Sequence, residues 1–205
     1  METVRKISVF CLLAMPLVVF GQDQAILHQA FSKSYTQESA HNYKGAIAEL
    51  SAHYTESSYE LNLRLAWLSY LAGLFNESVT YYQKAAKLMP AATEPLWGII
   101  NPYTKTENYN DIEQIYLSIL KLDPKNAKAN YSLGILYYYR KDFINAKKYL
   151  DVSLNLYPFD YDSMLMSAWT NYFLGKLNEA KILFNKVLLS NPNDKSALDG
   201  LGLIK

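Results

Sequence analysis

Three side chains, His28, His41 and His53, are of the type that ligates a metal, and they stand 13 and 12 residues apart. A helical metal pair needs ligands three or four residues apart on one face, so this spacing argues for surface or packing histidines. Cys11 is the single thiol. It lies in an apolar N-terminal stretch, which leaves the rest of the chain without disulfide or thiolate chemistry. The sequence holds no phosphate-cradling glycine loop and no G-x-S-x-G elbow. Gly200-Leu201-Gly202 is too short to serve as either. Asp and Glu are scattered at positions that read as solvated helix faces. These residues predict no catalytic, cofactor or metal site, and so no enzyme. The formal charge is +1, and residues 1–21 carry Glu2, Arg5 and Lys6. Beyond them, basic and acidic side chains are equal in number. A neutral chain with no basic run gives no electrostatic reason to bind nucleic acid, and no strong attraction to an anionic membrane.

The chemistry left is recognition, and the elements that would position it are set by proline. Pro90, Pro124, Pro158 and Pro192 recur every 34 residues. Proline stops a helix, so its constant phase marks identical units. Each interval carries two stretches of helical apolar period joined by a turn, the pattern of a helical hairpin. In 127–160 the first stretch has Asn130, Leu133, Gly134 and Tyr137; the second has Ala146, Leu150 and Ser153. Small residues at Ala66, Ser78 and Ala85, as at Gly134, Ala146 and Ser153, let paired helices approach closely. Asn76, Asn110 and Asn178 share a phase just before the second stretch and are expected to cap it. The acids that follow, Glu77, Asp111 and Glu179, suit a positive helix end.

The spacing resembles the tetratricopeptide repeat, W-x2-L-G-x2-Y, then A-x3-F, then P. Residues 161–194 share Ala168, Ala180, Phe184 and Pro192 with it. Residues 59–92 share Leu65, Ala66, Gly73, Ser78, Tyr82, Ala85 and Pro90. The resemblance implies an all-α, right-handed superhelical solenoid, with units at about 27–58, 59–92, 93–126, 127–160 and 161–194 and a partial helix at 195–205. One hairpin cannot bury its apolar stripe alone, so neighbours must stack. The first unit is two residues short and lacks the closing proline. At 195–205, Leu198, Leu201 and Gly202 begin another first helix. It either caps the last apolar face or, being a poor cap, pairs two molecules end to end.

Residues 93–126 depart furthest from the pattern. Ile100, Ile112 and Ile119 replace mostly small residues, and Pro102 falls inside the first helix. A wider, bent hairpin is expected there.

The resemblance also implies an inner, concave face lined by first helices. Its positions fall on Leu63, Trp67, Tyr70 and Leu71; on Trp97, Asn101, Thr104 and Lys105; on Tyr131, Ile135, Tyr138 and Tyr139; and on Leu165, Trp169, Tyr172 and Phe173. Trp67, Ile135 and Trp169 replace the family's usual asparagine, and Leu71, Tyr139 and Phe173 its usual lysine. Only Asn101 remains of the set that clamps a C-terminal carboxylate, which argues against a chaperone-tail clamp. An aromatic face is expected to hold a peptide or protein segment, because rigid rings give large contact area at low entropic cost. The alternatives are an oligomerising assembly component, or an accessory of envelope polysaccharide machinery that stacks its rings on sugars.

Arg5 and Lys6, the apolar run Ile7–Phe20, interrupted by Pro16, and the junction Gly21–Gln22 read as a cleaved secretory signal. The run is shorter than the ~20 residues that cross a bilayer as a helix. Cys11 lies mid-run after Phe10, which is not the placement of a lipoprotein cysteine. A periplasmic or secreted location is expected, of an exported bacterial type.

Overall fold

Apolar residues spaced three and four apart fold as helices wherever a proline, or a turn residue of positive φ, does not interrupt them. The computed structural model describes the backbone of residues 15–204 and the side chains of residues 24–204. Most of the expected signal segment therefore lies outside the described residues. Two compact units result, one through Leu88 and one from Met89. The first contains α1 (Met15–Ser39), α2 (Tyr43–Ser51), α3 (Tyr59–Leu71) and α4 (Phe75–Leu88). The second contains α5 (Glu94–Lys105), α6 (Tyr109–Leu122), α7 (Ala127–Tyr139) and α8 (Phe143–Leu156). It continues with α9 (Tyr161–Phe173), α10 (Leu177–Ser190) and α11 (Lys195–Leu203). The chain is an all-α solenoid, and the described residues contain no strand. None of their helices is long and apolar enough to cross a membrane.

Each hairpin turns on one residue in the left-handed region. Gly73 and Gly175 take φ of 76° and 73°, while Glu107 and Lys141, in the same 34-residue phase, take 57° and 61°. Glycine adopts that geometry freely and the other two do so at some cost. The next residue then bonds back to the fifth carbonyl before it, as Leu74 N–H does to Ser69 and Lys176 N–H to Asn171.

Small residues set the helix spacing. A Cβ added to Gly134 would stand 2.5 Å from Leu150 Cγ, so only glycine fits where α7 crosses α8. Ser78 Oγ donates to the Ala66 carbonyl at 2.8 Å across the buried α3–α4 contact. In the second unit α6 packs on α7, α8 on α9, and α11 on both α9 and α10. The α5–α6 hairpin has the sparsest contact of all the hairpins. Ile112 and Ile119 are buried in it, beside the half-buried Ile100, where neighbouring hairpins have small residues. Helix α5 nevertheless continues through the buried Pro102 to Lys105.

Helix capping departs from the sequence expectation. Asn76, Asn110 and Asn178 are each the second residue of their helix, and so cannot cap it. Among the second helices of the hairpins, the capping side chains are Asn42 on α2 and Asp142 on α8, each accepting a backbone N–H three residues on. The acids Glu77, Asp111 and Glu179 do lie in first turns, at the positive helix ends. Asn110 serves elsewhere: its Oδ1 accepts from Arg140 Nη2 at 3.0 Å, tying α6 to α7.

Candidate functional site

In the second unit, the C-terminal turns of α7 and α9 carry consecutive aromatic residues, Tyr138-Tyr139 and Tyr172-Phe173. Hairpin stacking brings them together with Phe143 at the start of α8. Phe143 and Phe173 stack with centroids 4.7 Å apart and planes 12° apart. Tyr138 stands edge-on to both, at 5.6 and 6.0 Å. Phe173 continues the row to Trp169 and Tyr172. Two rings of this ladder face solvent: Tyr139 is 75% exposed and Phe173 49%. Burial holds the half-buried Tyr138 hydroxyl above its ordinary pKa, helped by the neighbouring Tyr139.

Next to the ladder, α5, α6 and α7 enclose an open pocket of about 480 Å³, lined by Ile112, Tyr116, Ile135 and Tyr139 among others. It lies where the α5–α6 hairpin is sparsely packed. Thr104 and Arg140 stand at its wall. Arg140 is already paired with Glu113, to which Tyr137 also donates. Of the pocket residues on α6, Ile112 was singled out from the sequence only for its size, and Tyr109 and Tyr116 were not singled out. Their spacing of three and four marks one face of α6, which is the signal that could have found them.

The other expected residues divide between packing and surface. Trp169 is a packing residue: its ring meets Phe184 edge-on at 5.0 Å and its Nε1 donates to Ser196 Oγ at 2.8 Å. Leu165 and Tyr172 lean on the same core. Trp97 packs on Tyr116 and carries Lys128 Nζ 4.4 Å from its ring centre. Asn101 is exposed. The half-buried Tyr131 has its pKa pushed up to about 12, first by burial and then by the charges of Asp162 and Asp160.

In the first unit Trp67 remains 37% exposed, while its Nε1 donates to Glu38 Oε1 at 2.7 Å. Trp67 also contacts Tyr70, which in turn meets Phe75. Leu63 and Leu71 are half-buried. Glu38 is the centre of a cluster that sequence reading missed. The buried Arg64 pairs with it at 2.6 Å, bonds Ser34 Oγ through Nε at 3.1 Å, and lies 3.8 Å over the Tyr35 ring. Burial raises the Glu38 pKa, but the bonds from Trp67 and Arg64 outweigh it and leave the carboxyl below its ordinary range. The cluster ties α1 to α3.

Stacked hairpins with an exposed aromatic row define the class: a helical-repeat scaffold. Residues 162–194 match the family described as Tetratricopeptide repeat. The BBSome complex member BBS4 of Mus musculus is 25% identical over 134 residues, 65% of this chain and 26% of its own length. The TPR repeat-containing protein YpiA of Bacillus subtilis (strain 168) is 26% identical over 162 residues, 79% of this chain and 38% of its own. This chain thus spans well under half the length of either. A tetratricopeptide repeat protein from Parabacteroides merdae ATCC 43184 has a crystal structure that superposes with a TM-score of 0.71. It is 20% identical, and the match covers 86% of this chain and 71% of that one. Residues 162–194 thus match a tetratricopeptide repeat, and the chain shares the fold of a tetratricopeptide repeat protein.

Proposed function

We propose that this protein is an interaction scaffold of the cell envelope that holds a peptide or protein segment against the aromatic row on its first helices. The observation that carries the reading is the joint exposure of Tyr139 and Phe173 beside an apolar pocket. The rings behind them are fixed by stacking, so little side-chain freedom is lost on binding. A bulky apolar side chain entering the pocket would gain roughly 1.5–3 kcal/mol from burial. The similarity to BBS4, whose name makes it a member of a complex, favours a protein partner. The envelope location rests on Arg5, Lys6 and the apolar run that follows.

The reading is one of binding rather than catalysis. The carboxylates held below their ordinary range, Glu38, Glu113, Asp142 and Asp194, each join two helices or cap one.

Trp169 is the wrong residue to test this with, because its replacement would open the core. Tyr139→Ala with Phe173→Ala removes the two exposed rings and leaves the packed ones. Recovery of the bound partner from envelope extract should fall about tenfold or more, the loss expected for 1.4 kcal/mol, with far-UV circular dichroism unchanged. Undiminished recovery by the double variant would overturn the reading.

A further inference from the structure

Within the second unit α7 and α9 touch, so residues in the same phase on them stand one helix spacing apart, roughly 8–10 Å. Tyr139 and Phe173 are such a pair, 34 residues apart and both exposed. Tyr138 fills the step between them. It stands edge-on to each, its ring centre 5.6 Å from that of Tyr139 and 6.0 Å from that of Phe173. The face is therefore two exposed rings at a fixed step, with a third ring as the floor between. Lys105 holds the same phase on α5 and is exposed.

A segment lying across α7 and α9 must present one side chain at each step. A β-strand returns to the same face every two residues, roughly 6.6–6.8 Å, which is too short. A polyproline II helix returns every three residues, about 9.3 Å, which matches the step. An α-helix reaches it only with seven residues, roughly 10.5 Å, and spends its carbonyls on its own hydrogen bonds. The polyproline form has no internal hydrogen bonds, so its carbonyls stay available to the phenol of Tyr139, which donates. Proline also suits the ladder: its ring is apolar, and its fixed φ means that little chain freedom is lost on docking.

We propose, resting on the reading of Tyr139 and Phe173 as a binding face, that the segment held there is proline-rich and in polyproline II form, with prolines three residues apart on the two rings. Lys105 lies one step further in the same phase, and so favours a carboxylate three residues beyond the proline on Tyr139. A second copy of this chain does not supply the segment, because none of its 7 prolines lies three residues from another.

The test uses the full chain and a fluorescently labelled, end-capped alanine peptide with two prolines three apart and a glutamate three residues outside each. Saturable binding by anisotropy is expected. A peptide of the same composition with its prolines two apart should bind clearly more weakly. Tyr139→Ala should weaken binding roughly three- to tenfold, the range for losing one ring contact, with circular dichroism unchanged. Lys105→Ala should weaken it roughly two- to fivefold, as for an exposed ion pair, and should leave a peptide without the glutamates unaffected. No saturable binding, equal binding of the two proline spacings, or equal binding by Tyr139→Ala would overturn the proposal. Tighter binding of a proline-free amphipathic helix would overturn it too, making a helix the occupant. Partner capture from envelope extract, lost in the Tyr139→Ala, Phe173→Ala variant, is a separate readout; if it holds while the peptides fail, the binding face stands and only its proline form is wrong.

Discussion

Tyr137 and Glu113 pull each other's titration in opposite directions. Tyr137 donates to one carboxylate oxygen and Arg140 approaches the other. The bond from Tyr137 is the largest influence on Glu113; burial opposes it and Arg140 adds to it, so the carboxyl stays below its usual range. That same bond, helped by burial, pushes Tyr137 up to about 12. The signs follow by linkage. A depressed carboxylate stabilises the fold above its unfolded value, roughly pH 4, and that stability is lost as pH falls through the folded value. A raised tyrosine stabilises below its unfolded value, about pH 10, and that stability is lost as pH rises toward 12. The second unit should therefore hold a stability plateau that declines at both ends. Tyr137→Phe should cost about 1 kcal/mol on the plateau. Its acid limb should shift toward ordinary carboxylate values, and its alkaline limb should flatten without vanishing, because Tyr131 also titrates near 12. Urea midpoints measured across pH check this; superimposable profiles for variant and wild type would refute it.

First helices begin on a side-chain cap with the same beat as the prolines. Ser58, Asn126, Asp160 and Asp194 each accept the N–H three residues on. The phase also falls on Ala92, where α5 instead starts late, without a side-chain cap bond. The physical reason is Pro95, which occupies the donor position and has no N–H to give. Asp160→Ala should lower stability by about 1 kcal/mol. Ala92→Asp alone should gain almost nothing, while Ala92→Asp with Pro95→Ala should show a favourable coupling of about 1 kcal/mol in a double-mutant cycle by urea unfolding. Additive changes would show that Pro95 is not the obstacle. The same helices show what a sequence makes legible. The 34-residue proline phase and the small residues at Ala66, Ser78 and Gly134 are periodic within the chain, so hairpins and crossings could be read directly. Asn76, Asn110 and Asn178 were misread because an Asn-acid pair looks alike at a cap and one turn position later. Only the position of the preceding turn separates the two.

At the scale of the whole molecule, the contacts hidden from the sequence join residues about one repeat apart. Arg64 meets Ser34, Trp67 meets Glu38, Tyr161 meets Asp194 and Trp169 meets Ser196. No local pattern announces such pairs, because each depends on how neighbouring hairpins are turned against each other. This is why the aromatic face was legible as composition, but Trp169 as a packing residue was not. The N-terminus offers the remaining test. Helix α1 runs through the Gly21–Gln22 junction, and the packing contacts described for it come after that junction. Leu27, Ala30 and Phe31 enter the first core, Ser34 bonds Arg64, and Glu38 bonds Arg64 and Trp67. Their spacing of three, one, three and four keeps them on one helical face. Cleavage at that junction would leave this face whole. If the protein is exported as proposed, chain recovered from the envelope of its own cells should begin at Gln22 by intact mass. A chain made to start at Gln22 should unfold in urea within about 0.5 kcal/mol of the full sequence, the range of a change away from packed features. Recovery of residues 1–21 on the exported protein would count against cleavage. Loss of the first unit's helicity in the shortened chain would show that the segment belongs to the fold.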